Sequence, residues 1–305
     1  MQIQIVPHEG WQNNVLISNT HAELVVTLDV GPRVLVYQTP GGHNVFKKYA
    51  EQMGASGEEK WTNRGGHRIW IAPEDGACYV PDNAPVSHYE LLPNGVRVEN
   101  APVAPWGFRK VLTITLDENS TKVTAHHRVV NESGSPATIA SWGLSVMAPG
   151  GLEIIPLPKL GEHPRDLLPN RLIVPWAYTD MTDPRWRFGS EFITLRQTTD
   201  GGPTKLGLLH MQKWVAYLNG ETLFVKCFKA EPDAAYPDLG CNFETFTNIH
   251  MLEVETLSPL KTLQPGEAVE HTEEWFLAGD VSEPASLHEQ DLGDWIEPIL
   301  EKLGI

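Results

Sequence analysis

The chain has 305 residues, of which 41% are hydrophobic, and it carries a formal net charge of -16 at pH 7. This length suffices for two average domains or for one large all-β domain. The acidic excess argues against nucleic acid as a partner, because phosphate contacts need clustered Lys and Arg, and it disfavours binding to an anionic membrane.

The cysteines and the N-terminus bear on the cellular compartment. Cys78, Cys227 and Cys241 are widely spaced and form no CxxC motif, so neither a zinc ribbon nor a thioredoxin motif is present. An odd, low count suits a reducing compartment. The opening "MQIQIVPHEG" lacks the basic and apolar regions of a secretory signal, and no apolar run approaches the roughly 20 residues of a membrane span. We therefore expect a cytoplasmic protein.

Short strand patterns recur along the whole chain. They begin with "NVLISN", "ELVVTLDV" and "RVLVYQTP", continue through "GVRVEN", "RKVLTITLDENSTKVTAHHRVV" and "TIASWGLSVM", and end with "FITLRQT", "LGLLHM", "TLFVKCF", "HMLEVETL" and "EHTEEWFL". Several alternate apolar with polar residues, as half-buried antiparallel strands do. Polar and Pro-Gly turns such as "LDENSTKV" and "LQPGEAV" separate them. The pattern predicts a large antiparallel β-sandwich.

Two long stretches, 47–85 and 156–190, lack a clear periodic pattern and are rich in Trp, Arg, His and Pro. Loops of this length in a compact domain are usually functional or disordered, and this composition is unlike that of a disordered linker. We interpret them as ordered loops that shape a site.

The C-terminus carries the clearest helical pattern. Trp295, Ile299, Leu300 and Leu303 recur at helical spacing, with Asp294 as a candidate N-cap. This places Pro298 in the first turn, where its cost is smaller. We expect a sandwich domain over residues 1–280 and a helical extension packed on it over 281–305.

The strand "HMLEVETLSPL" has an unusual face. Leu252 and Val254 lie on one side, and Met251, Glu253 and Glu255 lie on the other, because side chains alternate along a strand. Two carboxylates about 6–7 Å apart on one face oppose each other's ionisation if both face a cleft. Such a pair suits a general base or a cation site, and the alternative is a structural ion pair with an Arg.

Three blocks of the chain resemble the galactose mutarotase-like superfamily, and they occur in the same order. The opening "VLISNTHAELVVTLDVGPRVLVYQTPGGHNVFK" resembles its first hairpins, "TAHHRVVNESGSPATIASWGLSVMAPGG" its central strand pair, and "LEVETLSPLKTLQPGEAVEHTEEWFL" its final hairpin. The resemblance implies an all-β supersandwich whose concave sheet holds a sugar, and the short C-terminal helix predicted above would pack on it. It also implies aldose 1-epimerase chemistry, in which a carboxylate and a histidine open the sugar ring by acid–base steps.

The resemblance assigns the carboxylate base to Glu255, with Glu253 as the second choice. The acid histidine of the family should fall near Ser141–Trp142, where this chain has no histidine. His67 resembles a histidine that contacts the sugar from an early Gly-rich segment. We therefore expect His67 to act as the partner acid or as an orienting group.

The segment "WTNRGGHRIWIAPED" is the most site-like loop, because its glycines allow close approach and its side chains offer charge and stacking. Arg64 and Arg68 either clamp the carboxylate of an acidic sugar or pair with Glu74 and Asp75. The expected substrate-binding residues are Arg68, Trp70, Glu74, His127, Trp142, His210 and Glu244.

No HExxH, EF-hand, P-loop or GxGxxG pattern occurs, so the sequence gives no strong metal signal and we expect no cofactor; a scattered His/Glu metal site stays open, because no spacing would predict it. The sequence thus predicts an aldose 1-epimerase-like isomerase that acts on a sugar or sugar acid, as a monomer or homodimer. A carbohydrate-binding protein without turnover, or lyase or hydrolase chemistry on the same scaffold, stays open.

Overall fold

The computed structural model describes residues 1–79, 81–104 and 106–305, and over these residues the chain forms 21 strands, one α-helix and two short 3₁₀-helices. The strands are β1 Gln2–His8, β2 Trp11–Ser18, β3 Glu23–Thr27, β4 Arg33–Gln38, β5 Gly66–Ala72, β6 His88–Leu92, β7 Gly95–Glu99, β8 Phe108–Leu116, β9 Val123–Asn131, β10 Ala137–Met147, β11 Leu152–Pro156, β12 Ile173–Pro175, β13 Trp186–Phe188, β14 Phe192–Arg196, β15 Thr204–Leu208, β16 Trp214–Asn219, β17 Thr222–Phe228, β18 Phe243–Thr247, β19 Leu252–Leu257, β20 Lys261–Leu263 and β21 Ala268–Ala278. The helix α1 is Glu289–Leu303, and the 3₁₀-helices are Ala50–Gln52 and Gly76–Tyr79. The all-β prediction is confirmed.

The strands form two large antiparallel sheets. The first runs β1-β2-β3-β4-β5-β10-β19-β18-β15-β12, with β20 paired to one end of β10. The second runs β13-β14-β11-β16-β17-β21-β9-β8-β7-β6. Neighbours such as β5, β10 and β19 are distant in sequence, so the order of the sheet, and not chain proximity, decides which side chains meet.

The main core lies between the two sheets, where alternate residues of both sheets meet. Val26, Val34 and Ile69 come from the first sheet, and Phe224 and Trp275 from the second; all are buried. At roughly 25 cal/mol per Å² of apolar surface removed from water, this core supplies most of the drive to fold.

Helix α1 covers the outer face of the second sheet, where Leu292, Ile296 and Leu300 pack at i, i+4 and i+8. It begins at Glu289, so the predicted cap at Asp294 is wrong: that residue lies inside the helix. The Glu289 carboxylate accepts hydrogen bonds from Ser190 and from the Glu191 backbone N–H, and these contacts fix the start of the helix to a loop.

The predicted long loop over 47–85 needs a correction, because its middle is strand β5, which pairs with both β4 and β10. Every residue of β5 is buried, so the strand shows no simple alternation of polar and apolar residues. Across the described part of the chain, no helix is both long and apolar enough to cross a membrane.

Candidate functional site

A cavity of about 260 Å³ opens on the outer face of the first sheet, over the strands β5, β10, β19, β18 and β15. Aromatic and charged side chains dominate its wall. The described residues that line it are Trp61, Asn63, Arg68, Trp70, Glu74, Tyr79, Trp142, Leu144, Tyr178, Lys205, Phe246, Asn248, Met251, Glu253 and Glu255.

The strand register sets the floor of the cavity. Leu144 of β10 pairs with Arg68 on one side and with Glu255 on the other, and Glu255 pairs in turn with Glu244 of β18. Residues that are paired directly across strands lie on one face of a sheet. These side chains therefore form one row across the sheet. Arg68, Leu144 and Glu255 line the cavity, whereas the predicted substrate-binding residue Glu244, at the end of the row, is not among the described lining residues. Glu253 lies two residues from Glu255 on the same face.

Lys205 of β15 joins two of these carboxylates. Its Nζ lies 3.0 Å from Glu255 Oε2 and 2.7 Å from Glu244 Oε2, and both glutamates are fully buried. The pKa of Glu255 is raised to about 7. Burial raises it most, the Lys205 ammonium lowers it in part, and the neighbouring Glu253 carboxylate raises it further. Burial likewise raises the pKa of Glu244 well above its ordinary value.

Lys205 itself stays charged. Burial alone lowers the pKa of a lysine, but Glu255 and Glu244 outweigh it and raise the pKa of Lys205 above its ordinary value. We name this set of three residues the carboxylate–lysine triad. It places an ammonium group and a carboxylate that titrates near neutral pH on the floor of one cavity.

The ammonium of Lys205 also lies against two aromatic rings. Its Nζ is 4.7 Å from the ring centre of Trp142 and 4.8 Å from that of Trp176, which is within cation–π range. Gly207 makes this arrangement possible, because an added Cβ there would lie 2.9 Å from Trp176 and 2.5 Å from Cys241. The predicted substrate-binding residue Trp142 therefore lies beside the triad.

A second cation, Arg68 of β5, occupies the other end of the row. One of its terminal nitrogens lies 3.4 Å from Glu253 Oε1, and its guanidinium lies 5.4 Å from the ring centres of both Trp61 and Trp70. The cavity face of β19 thus carries two ion pairs side by side, Glu253 with Arg68 and Glu255 with Lys205. In the cavity wall, Glu74 accepts a hydrogen bond of 2.6 Å from the Tyr79 hydroxyl.

Four buried polar atoms of cavity-lining residues have no hydrogen-bond partner among the described residues. They are the acceptor Glu255 Oε1 and the donors Trp61 Nε1, Arg68 Nε and Trp142 Nε1. Buried polar atoms are almost always paired, and an unpaired one costs about 1–3 kcal/mol. A ligand that offers both donors and acceptors would satisfy this set.

The structure does not bring His67 and His127 to the cavity. His67 precedes Arg68 on β5 and therefore points to the opposite face, into the space between the sheets, where its Nε2 lies 2.7 Å from His127 Nε2. His127 does face inward, as alternation on β9 predicts, but β9 belongs to the second sheet. Both side chains are fully buried.

These two histidines belong to an interior polar network with Glu273. The potential ligand atoms of the three residues lie within 4.8 Å of one another, which is close enough to hold a metal ion. Each of the three residues already has hydrogen-bond partners. Glu273 accepts hydrogen bonds from Lys226 at 3.0 Å and from Trp275 at 2.7 Å, and His67 Nδ1 lies 2.9 Å from a serine hydroxyl. The Lys226 ammonium balances the carboxylate, so we interpret this network as structural.

Two further sequence expectations also need correction. His210 follows β15 and is buried in the core, where its Nε2 bonds to the Trp214 carbonyl at 2.9 Å, so it does not line the cavity. Arg64 and Arg68 form no clamp, because Arg64 is bound to Asn83 at 2.6 Å and to Glu58.

Several residues that line the cavity were not predicted from the sequence, and Lys205 and Tyr178 are two of them. Lys205 lies one residue before the strand pattern recognised at "LGLLHM", and a lysine within a buried strand is the signal that would have found it. Tyr178 lies in the second long stretch and lines the cavity, but a single exposed tyrosine carries no distinguishing pattern.

No protein-family model matches the chain, and no curated protein matches its sequence significantly. Solved structures do match. A proposed aldose 1-epimerase from Klebsiella pneumoniae superimposes with a TM-score of 0.59 at 13% identity, over 97% of this chain and 86% of that one. A proposed aldose 1-epimerase from Escherichia coli K12 gives a TM-score of 0.55 at 10% identity, over 91% and 100%. A galactose mutarotase-like protein from Lactobacillus casei gives 0.55 at 12% identity, over 87% and 100%.

These likenesses, all at 13% identity or below, show the fold. The chain has the galactose mutarotase-like β-supersandwich fold, as the order of its three sequence blocks predicted.

Proposed function

We propose that this protein is an aldose 1-epimerase-like enzyme that binds a sugar in the cavity and accelerates exchange between its anomers. The observation that carries the proposal is Glu255: a fully buried carboxylate on the cavity floor with a pKa of about 7 and one oxygen free to accept a proton. A general base works best when its pKa lies near the working pH.

The cavity wall supports a carbohydrate ligand. Sugars stack their C–H faces on aromatic rings and bond their hydroxyls to polar groups, and Trp61, Trp70 and Trp142 stand beside unpartnered donors and an unpartnered acceptor. Both cations of the cavity are already paired with glutamates, Arg68 with Glu253 and Lys205 with Glu255. This pairing favours a sugar without an acidic group over the sugar acid that the arginine clamp suggested.

A second candidate is a sugar-binding protein without turnover. One observation favours it: none of the described residues that line the cavity is a histidine, although the family acid is one. In that case the same cavity would bind sugar, but replacement of Glu255 would have no turnover to abolish.

The experiment is NMR-detected anomer exchange on a panel of aldoses and uronic acids. We expect wild-type protein to accelerate exchange of at least one neutral aldose, and we expect Glu255→Gln to lose about 10²-fold or more of that acceleration while it still binds. The control is Glu270→Gln, which changes an exposed glutamate and should leave the rate unchanged. Glu253→Gln tests the other candidate base.

Acceleration by wild type that Glu255→Gln retains would refute the role of Glu255. Binding of sugars, detected as saturation transfer, without any acceleration would instead support the second candidate. Absence of both binding and acceleration across the panel would overturn the sugar site itself.

A further inference from the structure

Ring opening needs a proton donor as well as a base, and none of the described residues that line this cavity is a histidine, the residue that the family uses. We propose that Lys205 is the general acid, which protonates the ring oxygen of the sugar while Glu255 takes the proton of the anomeric hydroxyl. This inference rests on the proposed epimerase function of the same cavity.

The position of Lys205 supports this role. Its Nζ lies 3.0 Å from the Glu255 carboxylate, so the donor and the base can reach two oxygens of one sugar that share the anomeric carbon. It also lies over the ring of Trp142, and the resemblance places the missing histidine near Ser141–Trp142. The Lys205 ammonium, which comes from β15, thus lies close to the segment of β10 where the resemblance expects the acid histidine.

The other cavity groups with a proton are less suitable donors. Arg68 is a guanidinium, which does not lose its proton in proteins. The Tyr79 hydroxyl already donates to Glu74, and burial raises its pKa above the ordinary value. Partial burial of the half-exposed Tyr178 raises its pKa to about 12. Lys205 is therefore the ionised donor closest to the base.

The triad couples the two proton transfers. Glu255 Oε2 lies 3.0 Å from Lys205 Nζ, so its negative charge is one of the two that hold Lys205 in the charged form. When Glu255 accepts a proton, that counterion is neutralised and the ammonium becomes a stronger acid. Proton uptake by Glu255 therefore makes Lys205 a stronger acid in the same step. This explains how a lysine with a raised pKa can donate a proton.

The step balances without a co-reactant. Glu255 removes the proton from O1, the C1–O1 bond becomes a carbonyl as the C1–O5 bond breaks, and the electron pair left on O5 takes a proton from Lys205 Nζ. After rotation about C1–C2, O5 attacks the other face of the carbonyl. The neutral Lys205 amine then recovers its proton from O5, and protonated Glu255 returns its proton to O1.

The deciding experiment is the pH dependence of anomer exchange for wild type, Lys205→Arg and Lys205→Met, with sugar binding and thermal unfolding measured on each. Arginine keeps the charge and cannot donate, so we expect the pH at half-maximal rate to stay in place while the plateau falls about 10²-fold or more. Methionine removes the ammonium that favours ionised Glu255, so we expect the midpoint to move to higher pH as well, with the plateau still lost.

A Lys205→Arg variant that keeps a plateau within threefold of wild type would overturn the proposal and reduce Lys205 to charge balance. The same conclusion follows if Lys205→Met recovers the wild-type plateau at high pH. If Lys205→Met does not fold, the charge-matched arginine variant decides. Wild type that binds sugar and accelerates no exchange would overturn the proposed function first and this inference with it, so the two failures are distinguishable.

Discussion

Glu255 differs from an ordinary surface carboxylate in its surroundings more than in its partners. Full burial raises its pKa, Lys205 lowers it, and Glu253 raises it again, which leaves a carboxyl group that is about half ionised near pH 7. A deeply paired carboxylate such as Glu273 shows the opposite balance, because Lys226 outweighs burial and holds its pKa below the ordinary value. The same residue type therefore has two roles in one molecule, a titrating group at the cavity and a permanent anion in the core.

Two tryptophans allow a matched test of where the sugar binds, because the indole N–H of one lies at the cavity and that of the other lies in the interior network. Trp142 Nε1 is buried beside the cavity and has no partner among the described residues. If the sugar supplies that partner, Trp142→Phe removes one hydrogen bond from the complex and none from the free protein, where it reduces the buried ring that packs against Lys205. We expect sugar binding about 2- to 10-fold weaker, which corresponds to about 0.5–1.5 kcal/mol, and a smaller loss of stability than Trp275→Phe causes.

The control is Trp275→Phe. Its indole donates to Glu273 at 2.7 Å in the interior network, so its loss leaves a buried carboxylate oxygen short of a donor. We expect the free energy of unfolding to fall by about 1–3 kcal/mol, measured by denaturant titration, with sugar affinity unchanged. The reverse assignment, stability lost at Trp142 and affinity lost at Trp275, would contradict the location of the site.

At the scale of single strands, the sequence predicted which residues share a face wherever alternation was visible. Glu253 and Glu255 share a face with Met251, as the period of two requires, and all three line the cavity. The same rule exposes an inconsistency in the sequence reading of β5. His67 and Arg68 are adjacent, so they cannot both face one cleft, and the structure gives the cavity to Arg68.

What the sequence could not predict is which face of a doubly buried strand meets the cavity. Strand β5 has core on one side and cavity on the other, and its neighbours in the sheet come from distant parts of the chain. Lys205 joins Glu255 only because β18 lies between β15 and β19, and that order is not encoded in any local pattern. The helix start was also missed, because side-chain contacts to Ser190 and not a capping motif fix Glu289.

Helix α1 offers a test of how firmly it packs. Ile296 is buried against the second sheet in the same cluster as Leu218 and Val225, whereas the adjacent Glu297 is exposed. We expect Ile296→Ala to lower the free energy of unfolding by about 2–5 kcal/mol, because it leaves a cavity at the sheet face. Glu297→Ala should change it by about 0.5 kcal/mol or less. Equal effects of the two substitutions in denaturant titrations would mean that the helix does not stabilise the sandwich.

For the whole molecule, the fold followed from the order of three weakly specific blocks, and the same order explains why structures at 10–13% identity superimpose on the chain. These blocks consist of turn residues and of alternating core residues, and every protein with this fold needs both. The proposed acid and base are single residues, which such a pattern does not constrain. The fold was therefore predictable, and the proposed proton donor Lys205 was not.

The interior histidines make stability depend on pH. Burial lowers the pKa of His210 to about 4, while in the unfolded chain it titrates near 6.5. The unfolded state thus binds the extra proton first, so this contribution is complete above about pH 6.5 and is lost as the pH falls toward 4. His210→Gln keeps a donor for the Trp214 carbonyl and removes the titration.

We expect the stability of His210→Gln relative to wild type to rise by about 3 kcal/mol between pH 7 and pH 4, measured by urea unfolding across that range. His210 has no direct bond to the Glu273 network, so the difference reports this group alone. A difference that stays constant with pH would contradict the burial of a neutral imidazole at this position.

The most direct measurement of the central claim is the pH profile of anomer exchange catalysed by the wild-type protein with a neutral aldose. We expect a catalysed rate that rises with pH and reaches half of its plateau near pH 7, as Glu255 ionises, and that disappears in Glu255→Gln. A half-maximum near pH 4–5, where an unperturbed glutamate titrates, or a profile that Glu255→Gln leaves intact, would contradict it.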